Sequence, residues 1–260
     1  MIATDPLFSL AGKTALITGG TSGIGAMIAQ GLVRRGVTTF ITGRDQQRTA
    51  ECAAQFSQEG GTCMPLAADL EAPDGAQRLA EDFAARGKAL NILINNAGAA
   101  AEGSLAKSSV EDWDIVMNVN VRAAFFLSRA LLPQLRQAAS AEDPSRIINT
   151  GSIGGLHIPN WEAHSYGASK AALHHLTRSL AKALGPDHIT VNAIAPGPFP
   201  SRLTDTGSDA VQKSVATYIP LGRPGEAADV EGAVTFLASR AGAYVNGCTL
   251  PLDGGYIAAL

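Results

Sequence analysis

Tyr166 and Lys170 stand four residues apart in Ser165-Tyr166-Gly167-Ala168-Ser169-Lys170-Ala171-Ala172-Leu173. In a helix that spacing puts both side chains on one face. A phenol with a pKa near 10 does acid or base work at neutrality only if its phenolate is stabilised by roughly three units, about 4 kcal/mol, and an ammonium one turn away is the group to supply much of it. The chemistry on offer is proton transfer to or from an oxygen. Taken alone, the pair also fits a tyrosine and a lysine that share an exposed helix. Tyr218, Tyr244 and Tyr256 have no lysine four residues on and read as structural. The five histidines show no metal-ligand spacing, so no metal is expected; His157 and His164 are placed at a substrate entrance.

A second group could hold a phosphate. Thr18-Gly19-Gly20-Thr21-Ser22-Gly23-Ile24-Gly25 follows an apolar run and leads into Ile24, Met27, Ile28 and Leu32, which recur at helical spacing before Gly36. Glycines at 19, 23 and 25 let the backbone turn and approach a ligand, and the free N–H groups of a helix start face an anion. The spacing is G-x-x-x-G-x-G rather than G-x-G-x-x-G, and no Gly-Lys-Ser/Thr follows. The next apolar run ends Phe40-Ile41-Thr42-Gly43-Arg44-Asp45. A carboxylate at such a strand end suits the ribose 2′-hydroxyl of NAD, whereas Gly43 leaves room for a 2′-phosphate that Arg44 can pair with. The cofactor expected is NADP(H). Asp45, about 20 residues beyond the loop, argues for NAD(H) if its carboxylate points inward.

Such groups need a scaffold. Short apolar runs at 14–18, 38–42, 61–67, 91–95, 146–150, 190–195 and 249–252 alternate with stretches of helical period, the pattern of repeated βα units. The runs are too uniformly apolar for a half-exposed sheet, so helices should cover both faces. The fold class expected is a single α/β domain, doubly wound about a parallel sheet of about seven strands. With 260 residues, 46% of them hydrophobic and 17% charged, a large core is available. A net charge of -3 argues against a nucleic-acid partner. Three cysteines without a Cys-x-x-Cys pair read as reduced thiols. No basic start precedes a long apolar run and nowhere do 18 apolar residues follow one another, so a cytoplasmic protein without a membrane partner is expected.

Taken in order, these motifs resemble the short-chain dehydrogenase/reductase superfamily over nearly the whole chain. Thr18 to Gly25 is similar to its cofactor loop, Asp69-Leu70 to its adenine contact, Asn95-Asn96-Ala97-Gly98 to the turn after its fourth strand, and Pro196-Gly197 to the segment lining the nicotinamide. The resemblance implies a Rossmann-like fold and a catalytic set of Asn120, Ser152, Tyr166 and Lys170. Tyr166 would protonate a carbonyl oxygen as hydride reaches its carbon, Ser152 would hydrogen-bond the same oxygen, Lys170 would depress the tyrosine pKa and hold ribose hydroxyls, and Asn120 would position a water. It further implies cofactor contacts at Gly19, Thr21, Ser22, Gly23, Ile24, Arg44, Asp69, Leu70, Asn96, Ala97, Gly98, Tyr166, Lys170, Pro196, Gly197, Phe199 and Ser201. Substrate walls are expected at Ser152, Trp161, Tyr166, Phe199 and Leu203, with Ala99 and Gly154 beside them.

The match has departures. Ser152 precedes Tyr166 by 14 residues where the family has 13, and Ser22 stands where many NADP-dependent members carry arginine. Within the family the chain is most similar to bacterial 3-oxoacyl reductases of the rhamnolipid-pathway type, which implies reduction of a ketone, a 3-oxoacyl thioester or related β-keto compound. An alcohol or sugar dehydrogenase of the same fold is the alternative, and a non-catalytic regulatory protein is the reading that the complete Ser152, Tyr166 and Lys170 set opposes. Glu142-Asp143 and Asp187 stand where reductases that take acyl carrier protein tend to be basic, which favours a free or coenzyme A-linked ketone. The helix expected near 112–136 and the catalytic helix carry small and apolar outer residues, and the family pairs them, so a homotetramer or dimer is expected. The polar, proline-bearing segment 196–214 reads as a loop that serves as a substrate lid.

Overall fold

In the computed structural model of the chain, which describes residues 5–158, 162–201 and 206–259, seven strands form one sheet. These are β1 (Thr14–Ile17), β2 (Thr38–Gly43), β3 (Thr62–Ala67), β4 (Ile92–Asn95), β5 (Ser145–Thr150), β6 (Ile189–Pro196) and β7 (Thr249–Leu252). Their order is β3-β2-β1-β4-β5-β6-β7, and every neighbouring pair is parallel. The helices are α1 (Gly23–Arg34), α2 (Gln46–Ser57), α3 (Gly75–Ala84), α4 (Val110–Met117), α5 (Ala123–Ala130), α6 (Leu132–Ala138), α7 (His164–Leu184), α8 (Asp209–Tyr218) and α9 (Ala227–Ala238).

Side chains of a strand alternate between faces, and in the central strands β1, β2, β4, β5 and β6 both faces are covered. The edges depart from the expectation: β3 is exposed at alternate positions and β7 is only partly buried, since each has a neighbouring strand on one side alone. Ala15, Ile17, Ile92, Ile94, Ile148 and Ile194 pack against Ile28 and Leu32 of α1, Phe56 of α2 and Val230 and Val234 of α9. Their neighbours Leu16, Leu93, Ile147 and Val191 point the other way, against Leu79 and Phe83 of α3, Leu127 of α5, Leu135 of α6 and Leu184 of α7. The winding reverses between β1 and β4, so a crevice opens at their carboxyl ends, the place where this class of sheet takes its ligands. At that point α1 presses on the chain so closely that a Cβ on Gly25 would overlap the Gly19 carbonyl and the Asn96 amide.

Two expectations are corrected. The stretch 112–136 is no single helix: α4 passes through a π-helical turn (Asn118–Arg122) into α5, which stops at Leu131 before Pro133 opens α6. The segment 196–214 is not loop throughout, because Ser208 caps α8, its hydroxyl accepting from the Val211 N–H at 3.4 Å. Trp161 and Leu203 lie outside the described residues. Among the described residues no single helix is long and apolar enough to cross a membrane.

Candidate active site

The crevice is a cleft of about 1330 Å³. Its floor is built by a clasp on the glycine loop. Thr18 Oγ1, at the end of β1, accepts from the Asn96 and Ala97 N–H groups, each at 2.9 Å. The Asn96 amide donates to the Thr18 carbonyl at 3.0 Å and the Gly19 carbonyl at 3.2 Å. The side chain of Asn96 is thus engaged in holding the loop. Behind it, Asn95 Nδ2 donates to Asn149 Oδ1 at 2.9 Å and Asn149 Nδ2 to Thr177 Oγ1 at 2.9 Å, which ties β4, β5 and α7 into one buried polar chain.

The residue set fits a dinucleotide. Ser22 is the N-cap of α1 and makes no side-chain cap, which leaves the first N–H groups of that helix for an anion. Thr21, Gly43, Arg44, Arg48 and Thr49 line the cleft at the end of β2. Glycine is required at 43, where a Cβ would stand 2.6 Å from Thr49 Oγ1. Arg44 is 75% exposed and lies 3.8 Å from Glu71, so its guanidinium is held only lightly. Asp45 is engaged elsewhere: it caps α2, its carboxylate accepting from the Arg48 N–H at 3.0 Å. Arg48 escaped the sequence reading, although it follows Arg44 by one helical turn.

At the other end of the cleft β5 delivers Ser152 and the first turns of α7 deliver Tyr166 and Lys170. Ser152 Oγ accepts from the Gly154 N–H at 3.0 Å and is hydrogen-bonded to the Tyr166 phenol. Burial holds Tyr166 above the ordinary phenol range, and the bond with Ser152 partly opposes it. Lys170, 4% exposed, donates to the Thr150 carbonyl at 2.8 Å, and its Nζ stands 5.5 Å from the centre of the Tyr166 ring. Burial lowers this lysine to about 8.

Asn120 sits on the π-helical turn just behind the wall. Its Nδ2 donates to the Ala99 carbonyl and to Ser169 Oγ, both at 2.9 Å, and its Oδ1 accepts from the Ala99 N–H at 2.8 Å. Ser169 Oγ in turn donates to the Tyr166 carbonyl at 2.7 Å. Asn120 thereby fixes the first turn of α7 relative to the wall at Ala99. Gly19, Thr21, Ser22, Gly23, Ile24, Asp69, Leu70, Ala97, Gly98, Pro196, Gly197 and Ser201 all line the cleft. Phe199 lines it too, but it is buried in the core and a Cβ on Gly225 would collide with its ring. His157, Val211, Ser214 and Tyr256 complete the wall. Tyr256 was read as structural, and nothing local in the sequence tells that the chain's last turn folds back onto residues that follow β5.

A doubly wound parallel sheet with this serine, tyrosine and lysine at its switch-point crevice defines an oxidoreductase of the nicotinamide type. A family model described as Enoyl-(Acyl carrier protein) reductase matches residues 19–257, and the chain belongs to the short-chain dehydrogenase/reductase family. It is 45% identical to the rhamnolipids biosynthesis 3-oxoacyl-[acyl-carrier-protein] reductase of Pseudomonas aeruginosa, over 96% of this chain and 98% of that one. It is 36% identical to the 2-dehydro-3-deoxy-D-gluconate 5-dehydrogenase of Escherichia coli, over 96% and 98% of the two chains. Among solved structures, the RhlG/NADP active-site complex of Pseudomonas aeruginosa superposes with a TM-score of 0.93 at 44% identity, covering 97% of this chain and 99% of that one.

Proposed function

We propose that the chain, acting as one domain over residues 1–260, reduces a ketone to a secondary alcohol with NADPH, the ketone being a 3-oxoacyl thioester or related β-keto compound. The observation that carries this is the hydrogen bond that pairs the Ser152 and Tyr166 hydroxyls on one side of the cleft. A reduction needs a proton donor there, because the oxygen of the ketone must gain a proton. NADPH, when bound, supplies the hydride for the carbonyl carbon. Tyr166 donates its proton to the developing alkoxide, and Ser152 donates a hydrogen bond to the same oxygen. Lys170 has three donors and spends one on Thr150, which leaves two for the cleft. The α1 terminus and the loop N–H groups hold the pyrophosphate, and Arg44 with Arg48 holds the 2′-phosphate.

Relatives with an acyl-carrier name and the NADP of the RhlG complex support this reading. The gluconate dehydrogenase relative supports the second one, an alcohol or sugar dehydrogenase. A steady-state panel of NADPH and NADH against 3-oxoacyl thioesters, diketones and sugar ketones separates the two. Tyr166→Phe should lower ketone reduction by about 10²- to 10⁴-fold while NADPH binding stays nearly intact; unchanged turnover would remove Tyr166 as the acid.

The acyl group is read as free or coenzyme A-linked. Asp187 is paired with Arg136, at 2.8 and 3.0 Å, and Asp143 with Lys13 and Arg146, which leaves Glu142 as the exposed acid of this rim. Faster turnover of carrier-protein thioesters than of coenzyme A thioesters would reverse that. The chain is read as cytoplasmic, since Cys52, Cys63 and Cys248 are free thiols. It is also read as a homotetramer through the outer faces of α4, α5 and α7, where Val110, Trp113 and Phe125 are exposed.

A further inference from the structure

Three glycines lie where the helical turn Ile153–Gly155 meets the start of α7, and close packing accounts for two of them. A Cβ on Gly155 would overlap the backbone of Lys170 and Ala171, at 2.6 and 2.7 Å, and one on Gly167 would crowd the Gly154 carbonyl at 3.3 Å. Gly154 is different. A Cβ there would stand 3.4 Å from Ser152 Oγ and 3.7 Å from Tyr166 Cε1, which are ordinary contact distances, and its φ is not positive. The fold therefore has room for alanine at 154, and glycine costs the folded chain entropy that alanine does not. What the missing side chain leaves is open space on the cleft wall, directly beside the two hydroxyls assigned to the reacting oxygen.

That space leads outward. Gly154 and His157 line both the cleft and a neighbouring groove of about 670 Å³. Leu156, Ile158 and Ala163 line the groove with Gly167 and Ala168 of α7, and Leu156 and Ile158 are exposed, an apolar surface that a run of methylenes would cover. Glu162 and His164, its other polar residues, face solvent. The carbon of a 3-oxoacyl ketone carries one polar arm, which ends in the thioester, and one alkyl arm. Only the alkyl arm gains by lying against such a wall.

We propose that Gly154 is the specificity-determining residue for the alkyl arm: the arm leaves the reacting carbon over Gly154 and lies in the groove beyond, so that longer chains are preferred to that of acetoacetate. This rests on the ketone-reductase reading above and adds chain length to it. A side chain at 154 would narrow the passage without disturbing the turn that carries it.

Ethyl acetoacetate, ethyl 3-oxohexanoate and ethyl 3-oxooctanoate differ only in the alkyl arm. With NADPH, kcat/KM of the wild-type enzyme should rise along this series by about tenfold or more, since each buried methylene is worth up to about fourfold. Gly154→Ala should lower the ratio of kcat/KM for the octanoate over the acetoacetate ester by about tenfold. Its midpoint in urea should be no lower than that of the wild type, and NADPH binding, followed by fluorescence, should be intact. Ala168→Leu, which fills the groove from an exposed position, should lower the same ratio. A flat wild-type series, an unchanged ratio in either variant, or a Gly154→Ala protein that unfolds earlier would overturn the proposal. So would an Ala168→Leu protein that loses equally on both esters and changes its mass in light scattering, because the groove would then belong to a second copy of the chain. A wild-type enzyme that reduces none of the three esters overturns the parent reading and this one with it.

Discussion

Lys170 is the residue whose state should be visible from outside. Burial brings its ammonium to about 8 from a reference of 10.5. Its charge is present below pH 8 and is lost above it. The pH profile of kcat/KM reports groups of the free enzyme, so ketone reduction should be level up to about pH 7 and decline above 8. The decline would not be unfolding. Between 8 and 10.5 the folded chain binds fewer protons than the unfolded one at this site, so the contribution of Lys170 to stability rises with pH there. A profile still level at pH 9.5 would show that the lysine charge is not required. Arg44 gives a second test at this scale. A charge-assisted hydrogen bond is worth about 1.5–3 kcal/mol, so Arg44→Ala should raise KM for NADPH about 10- to 100-fold and leave NADH nearly unchanged. An equal effect on both cofactors would mean that Arg44 does not meet the 2′-phosphate.

Between elements, the join that matters most is that of β5 with α7. His174 is buried behind the strand end, and its Nε2 accepts from the Ser152 N–H at 3.4 Å. Burial, with the charges of Lys170 and Arg178 adding to it, holds this histidine neutral, down at about 4. Gly151 lies flush against it, and a Cβ there would overlap the imidazole. Gly151→Ala should therefore cost about 1–3 kcal/mol in urea unfolding and displace Ser152, and His174→Ala in the same chain should restore part of the stability. Simple additivity of the two losses would show that they do not touch. The strands were legible from sequence because each is a short apolar run between glycines or polar residues, and α7 because Gly185 and Pro186 end it. The π-helical turn at Asn120 was not, since its residues continue the pattern of the helices on either side. Ser208 and Asp209 did carry a helix start, overshadowed by the polar residues around them.

At the scale of the molecule, the exposed apolar side chains on α4 and α5 set the expectation for assembly. Light scattering at micromolar protein should give four times the chain mass, and Trp113→Glu should lower it; a monomer mass for the wild type would end the tetramer reading. The serine, tyrosine and lysine proposed as the catalytic set were legible because their types and spacing are local. The walls were not, because they are made by distance in sequence: Thr18 is clasped by residues 78 and 79 positions away, and His157 rests on Tyr256. No periodicity reports such a meeting.

The site hangs from the carboxyl ends of the strands, and this divides the molecule into a working rim and a quiet one. The turn at Gly87, exposed and on the far rim, bears none of the groups that touch the cleft. A peptide or fluorescent tag spliced in there would ride on the scaffold as a passenger, so the same fold can be lengthened or labelled from below while its chemistry above is left alone.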